Sequence, residues 1–119
     1  MGIQEAVSTC FSKYVDFQGR ASRPEYWWWT LFVIIVYVVL VGLGAALQSS
    51  IFSIIALLFW LGVLLPALAV TVRRLHDTDH SGWWIFIELV PIVGPFWLLY
   101  FLVIGGTPGP NRFGGPAPA

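Results

Sequence analysis

Residues 83–104 read WWIFIELVPIVGPFWLLYFLVI. A helix needs about 20 apolar residues to cross roughly 30 Å of hydrocarbon, so the stretch is long enough. Its centre, V-P-I-V-G-P, interrupts that helix, and Glu88 sets an acid about two turns in. At a rise of 1.5 Å per residue the pieces before Pro91 and after Pro95 reach only about 12–14 Å each. Neither crosses alone. The expectation is therefore one Pro-broken span, with neighbouring helices or water satisfying the freed carbonyls, and a re-entrant hairpin is the competing reading.

The two upstream apolar stretches, 26–47 and 51–72, contain no charge at all. The 119-residue chain is 58% hydrophobic and 10% charged, against about 25% charged in a soluble domain. A soluble fold of this size keeps too much surface exposed to hide so many apolar side chains. The composition thus predicts an all-α membrane protein. It is a small bundle of three transmembrane helices over about 26–47, 51–72 and 83–104, preceded by an amphipathic interfacial helix. Three parts follow: the interfacial helix at 1–15, a transmembrane domain at 16–104, and a Gly/Pro-rich tail at 105–119. The tail is expected to be mobile apart from docking by Asn111, Arg112 and Phe113.

The N-terminal helix is read from Ile3, Ala6, Val7, Cys10, Phe11 and Tyr14 at helical spacing, with polar residues between them. Such a stripe suits the membrane interface or packing on the protein's own spans. Cys10, alone of its kind, sits on that stripe as a small buried residue. No signal peptide or lipidation pattern is visible, so the chain is expected to stay in the bilayer by its own helices. Formal charge is zero and no basic run exceeds Arg73-Arg74, which excludes an electrostatic case for nucleic acid.

Cations set orientation. Lys13, Arg20 and Arg23 precede the first span, Arg73 and Arg74 follow the second, and Arg112 lies beyond the third. Three spans with the N-terminus inside put five cationic residues in the cytoplasm and one outside; a hairpin at Pro91–Pro95 brings Arg112 inside too. Ser22-Arg23-Pro24-Glu25 has capping-box spacing with proline in the first turn. The tryptophans at 27–29 and 83–84 suit headgroup depth on the same side.

Chemistry concentrates in Arg73-Arg74-Leu75-His76-Asp77-Thr78-Asp79-His80-Ser81-Gly82. The plain reading is a capped turn, with Arg73 facing His76 and Asp77 at i+3 and i+4 and Ser81 or Asp79 capping the next helix. A metal held by His76, Asp77, Asp79 and His80 is disfavoured, because the spacing falls in a turn and no further Cys or His completes a site. No nucleophile elbow or phosphate-cradling glycine motif is present, so neither a metal nor any other cofactor is expected. Glu88 is a functional suspect as an intramembrane acid, or a structural partner of carbonyls freed around Pro91.

Phe17-Gln18-Gly19-Arg20-Ala21-Ser22-Arg23-Pro24-Glu25-Tyr26-Trp27 resembles the F-x-G-R-x-S-R-x-E-[YF]-W opening of the small bacterial membrane proteins catalogued as domain of unknown function 805. Arg73-Arg74-Leu75-His76-Asp77 with Ser81-Gly82-Trp83-Trp84, then Gly106-Thr107 and Asn111-Arg112-Phe113-Gly114, resemble that family's later blocks. The resemblance implies a multi-pass bacterial inner-membrane protein with no agreed biochemical role. It draws attention to Arg20, Arg23, Glu25, Arg73, Arg74, His76 and Asp77 as a cytoplasmic-face cluster, and to Asn111 in the tail. His80 and Glu88 fall outside its pattern.

Three functions stay open. The first is a non-catalytic accessory, assembly or regulatory subunit, not an enzyme, whose inner rim binds a membrane-protein partner or lipid headgroups of the surrounding bilayer. The second is a homo-oligomeric channel or transporter using Glu88 and the broken third span. The third is a lipid-headgroup enzyme using His76 and Asp77.

Overall fold

The computed structural model describes residues 2–115 and 117, with the side chain of Glu88 excepted. Helix α1 covers Ile3–Ser12, α2 Arg23–Leu47 and α3 Ile51–Asp77; a 3₁₀ arm, Gly82–Leu89, and α4, Val93–Val103, follow. No strand occurs among the described residues; one isolated bridge links Asn111 and Gly114.

Helices α2 and α3 are the only two described helices long and apolar enough to cross a membrane. At 25 and 27 residues they extend about 37 and 40 Å. Ser22 Oγ accepts from the Glu25 N–H at 3.3 Å and Pro24 sits in the first turn, as the cap spacing predicts. The reciprocal half of the box does not form, because the Glu25 carboxylate goes to Arg73 instead. Gln48 closes α2 in the left-handed conformation, and α3 returns antiparallel, burying Trp29, Val63 and Val70 between the two. Elsewhere these helices expose a belt of large apolar side chains, Ile34, Val38 and Leu58 among them.

Helix α1 turns its small residues, Ala6 and Cys10, onto α2 and α3, while Ile3 and Phe11 stay exposed. Its stripe packs in part against α2 and α3. Burial, with the nearby Glu25 carboxylate, pushes the Cys10 thiol up to about 12, so it is a neutral packing group.

The segment 83–104 differs from the expected single broken span. The 3₁₀ arm and α4 each extend about 16 Å, half a bilayer, and they fold back on each other. The end of α4 returns to the place the arm left: the carbonyls of Leu102 and Ile104 accept from Arg74, near the C-terminus of α3. The cause is local. Pro91 has no N–H to continue a helix, and the Val93 N–H donates to the Pro91 carbonyl at 2.7 Å. This closes a γ-turn that holds Ile92 at φ 69°, ψ −58°, a left-handed conformation that a β-branched residue adopts only under strain. Pro95 falls in the first turn of α4, where a missing N–H is harmless.

This geometry separates the two readings of the segment. Ile92 is 80% exposed, so Ile92→Gly removes little packing and relieves strain of about 1–3 kcal/mol. The variant should unfold at equal or higher denaturant in detergent. A continuous crossing helix would instead lose about 1 kcal/mol to glycine at that position.

Candidate functional site

The polar residues converge at the end of the bundle where α2 begins and α3 ends. Arg20, Glu25, Arg73, Arg74, His76 and Asp77 are all buried there. Asp77 is the hub. Its Oδ1 accepts from Arg20 Nε at 2.9 Å and its Oδ2 from Arg74 Nη1 at 2.5 Å. Arg73 pairs with Glu25, both side chains fully buried. The expected pairing of Arg73 with His76 or Asp77 is therefore replaced: the i+3 partner of Asp77 is Arg74, and the helical rotation turns Arg73 toward α2.

Three guanidiniums present about fifteen N–H donors, which two carboxylates cannot absorb. The remainder go to backbone carbonyls. Arg20 donates to Thr107 at 2.6 Å, to Gly109 at 2.7 Å and to Gly114 at 3.3 Å. Arg74 donates to Ala21 at 3.2 Å, Leu102 at 3.3 Å and Ile104. The last two carbonyls lie at the C-terminus of α4, where a cation also complements the helix dipole. Trp27 Nε1 shares the Leu102 carbonyl at 3.1 Å.

The tail is drawn in by the same demand and docks over 105–114. Thr107 N–H donates to the Asp77 carbonyl at 2.7 Å, and Asn111 Nδ2 donates to the His76 carbonyl at 2.9 Å. These bonds satisfy orphan carbonyls at the end of α3. Phe113 stacks on His76, centroids 4.0 Å apart, and Arg112 pairs with exposed Asp79 at 3.1 Å. A Cβ on Gly106 would collide with the Asp77 carboxylate, which explains glycine there.

Of the seven residues expected to cluster, the structure brings together Arg20, Glu25, Arg73, Arg74, His76 and Asp77 and leaves Arg23 out. Arg23 is exposed and makes no ion pair among the described residues. Glu88 lies on the 3₁₀ arm, but its side chain lies outside the described residues. Asn111 joins the others because the segment before it folds back. The four donors weighed for a metal point apart: Asp77 to two arginines, Asp79 to Arg112, His76 Nδ1 to the Gly19 carbonyl, and His80 Nδ1 to Thr78. No group of three or more metal-ligating side chains occurs among the described residues. Residue-by-residue reading missed the carbonyls of Gly19, Thr107, Gly109 and Gly114. The excess of buried guanidinium N–H over carboxylate oxygens was the signal that could have found them.

The Arg73–Glu25 pair is less complete. Glu25 Oε1 and Arg73 Nε and Nη2 are buried without hydrogen-bond partners among the described residues. Breaking such a pair leaves an uncompensated buried charge, so Glu25→Gln should cost about 3–5 kcal/mol. Replacing both partners, Glu25→Leu with Arg73→Met, should restore most of that stability. Denaturant titration of both proteins checks this.

The Arg112 bond holds the Asp79 carboxyl below its ordinary value. Its contribution is present above the normal carboxylate range and fades as pH falls through the lowered value. Amide exchange at 111–114 should thus be flat from neutral pH down to about 5 and accelerate only in stronger acid, beyond the intrinsic pH dependence of exchange.

Comparison with known proteins places these residues in a wider set. The family described as "Protein of unknown function (DUF805)" matches residues 14–115. The inner membrane protein YhaI of Escherichia coli K12 is 43% identical over 101 residues, covering 85% of each chain. The inner membrane protein YhaH of the same strain is 43% identical over 112 residues, covering 85% of this chain and 86% of that one. The uncharacterized protein YiiR of that strain is 35% identical over 79 residues, 63% of this chain and 50% of its own. No solved structure gives a significant match.

Proposed function

This chain belongs to the DUF805 family of proteins of unknown function, and from that premise we propose a non-catalytic subunit of the inner membrane, acting by contact with a membrane-protein partner and with lipid. Relatives that match 85% of the chain are inner membrane proteins, and α2 and α3 have the length and apolarity to cross a bilayer. In this reading α2 and α3 cross, the 3₁₀ arm and α4 form a re-entrant hairpin, and the polar end faces the cytoplasm. All six Lys and Arg side chains then share that side, which the positive-inside rule favours over every alternative.

One observation carries the non-catalytic reading: the buried charges are engaged with each other and with the chain's own backbone. Asp77, the carboxylate beside His76, has both oxygens bound to arginine, so it is not free to act with His76 in headgroup chemistry. The cluster acts as a fastening that presents rigid apolar surfaces. Those surfaces, α2 and α3 with their exposed Ile, Val and Leu, are what a membrane partner would meet.

Reporter fusions test the arrangement. Alkaline phosphatase inserted at Ser49 should be active, marking an external loop between α2 and α3, and a fluorescent protein fused after the tail should glow, marking a cytoplasmic C-terminus. An external C-terminus would overturn the hairpin topology. Mild-detergent purification should recover the chain with a membrane-protein partner; a lone monomer would remove the accessory reading, and a conducting homo-oligomer would replace it with the channel reading.

A further inference from the structure

Between α3 and the 3₁₀ arm runs an open groove of about 730 Å³. Leu68, Val72, Phe86 and Leu89 make its apolar length, and its polar side chains, His76 and Ser81, lie at one end. From Leu68 to His76 is eight residues of helix, about 12 Å. The arm is pinned against α3 at Gly82, where a Cβ would lie 2.7 Å from Val72 Cγ1.

The polar end has a defined hydrogen-bonding sense. His76 Nδ1 lies 2.9 Å from the Gly19 carbonyl. A carbonyl only accepts, so the proton is assigned to Nδ1 and Nε2 of the neutral ring is an acceptor. Nε2 makes no hydrogen bond among the described residues, and it lies 3.6 Å from where a Gly82 Cβ would sit, beside the groove. Ser81 Oγ accepts from the Trp83 N–H at 3.3 Å, which leaves its O–H to donate. The end therefore offers one acceptor and one hydroxyl donor, with hydrocarbon-lined length beyond.

We propose that this groove seats one acyl chain of a phospholipid whose headgroup carries an N–H or O–H donor, ethanolamine or glycerol rather than choline. The phosphate takes the Ser81 hydroxyl, and the ammonium or hydroxyl of the headgroup donates to His76 Nε2. Lipid is the occupant because the groove walls are continuous with the exposed apolar faces of α3 and the arm. With polar groups at one end only, the groove matches an amphiphile lying along it. The inference rests on the membrane placement above and deepens it by naming the lipid.

The full-length protein in mild detergent, stripped of lipid, is titrated by native mass spectrometry with phosphatidylethanolamine, phosphatidylglycerol and phosphatidylcholine of identical acyl chains. The first two should bind about tenfold tighter than the third, the affinity equivalent of one well-made hydrogen bond. His76→Asn keeps a donor for the Gly19 carbonyl and lacks Nε2, so it should erase the preference while the protein still folds. Its melting temperature should fall slightly with the lost Phe113 stack. Leu68→Trp fills the groove and should weaken all three lipids. Equal affinities in the wild type, or undiminished binding by Leu68→Trp, would overturn the proposal. Should Leu68→Trp not fold, a diazirine-bearing acyl chain crosslinked to the wild type decides: adducts on Phe86 or Leu89 support the groove, and adducts spread over α2 sink it. Lost selectivity with both termini inside would fault this seat alone, whereas an external C-terminus faults the membrane arrangement itself.

Discussion

Two arginines bound to one buried carboxylate hold this fold together. Asp77 sits between Arg20, which precedes α2, and Arg74, one turn earlier on α3. Charges removed from water on this scale are tolerated only when geometry and hydrogen bonding are nearly complete. The chain meets that condition by bringing carbonyls from the end of α4 and from the tail to the remaining N–H groups. Segments far apart in sequence are thereby fastened at one point: the loop before α2, the ends of α3 and α4, and residues 107–114. An apolar interior supplies little directional information, because Leu packs on Leu in many registers. The ion cluster supplies it, since guanidinium and carboxylate meet in few geometries.

The same fastening explains why half-length elements are stable in the hairpin. An arm and a helix of about 16 Å each would fray alone. Their free ends, however, are tied to the rim: Ser81 caps the arm, and Arg74 and Trp27 take the last carbonyls of α4. The strained Ile92 turn is held between two anchored arms, which is the circumstance in which such strain persists. Leu75, Leu98, Phe101 and Leu102 form the core beneath.

Charge distribution and burial then divide the labour. Charges inside the rim bind the protein to itself, whereas Arg23, exposed at the start of α2, is left for the surroundings. The long faces of α2 and α3 carry no charge between Tyr26 and Val72 and stay exposed along much of their length. In the groove beside the arm such a face meets the polar side chains of His76 and Ser81. The molecule's unused apolar capacity lies along those faces and that groove.

The sequence alone determined the all-helical membrane character and the two long helices, and it offered the Ser22 cap and, with Asp79 as the alternative, the Ser81 cap. These properties depend on neighbours within one or two turns, or on solvent preference summed over some twenty residues. Tertiary structure alone decided that 83–104 turns back, that Arg74 rather than Arg73 takes Asp77, and that the Gly/Pro tail is docked through its carbonyls. Each of these turns on which of several equivalent partners lies within about 3 Å in space, and backbone carbonyls carry no residue identity for a sequence to display. Pro91 and Pro95 announced a break, but a kink and a hairpin satisfy proline equally. The choice was made by guanidinium N–H groups at the rim that needed the far end of α4.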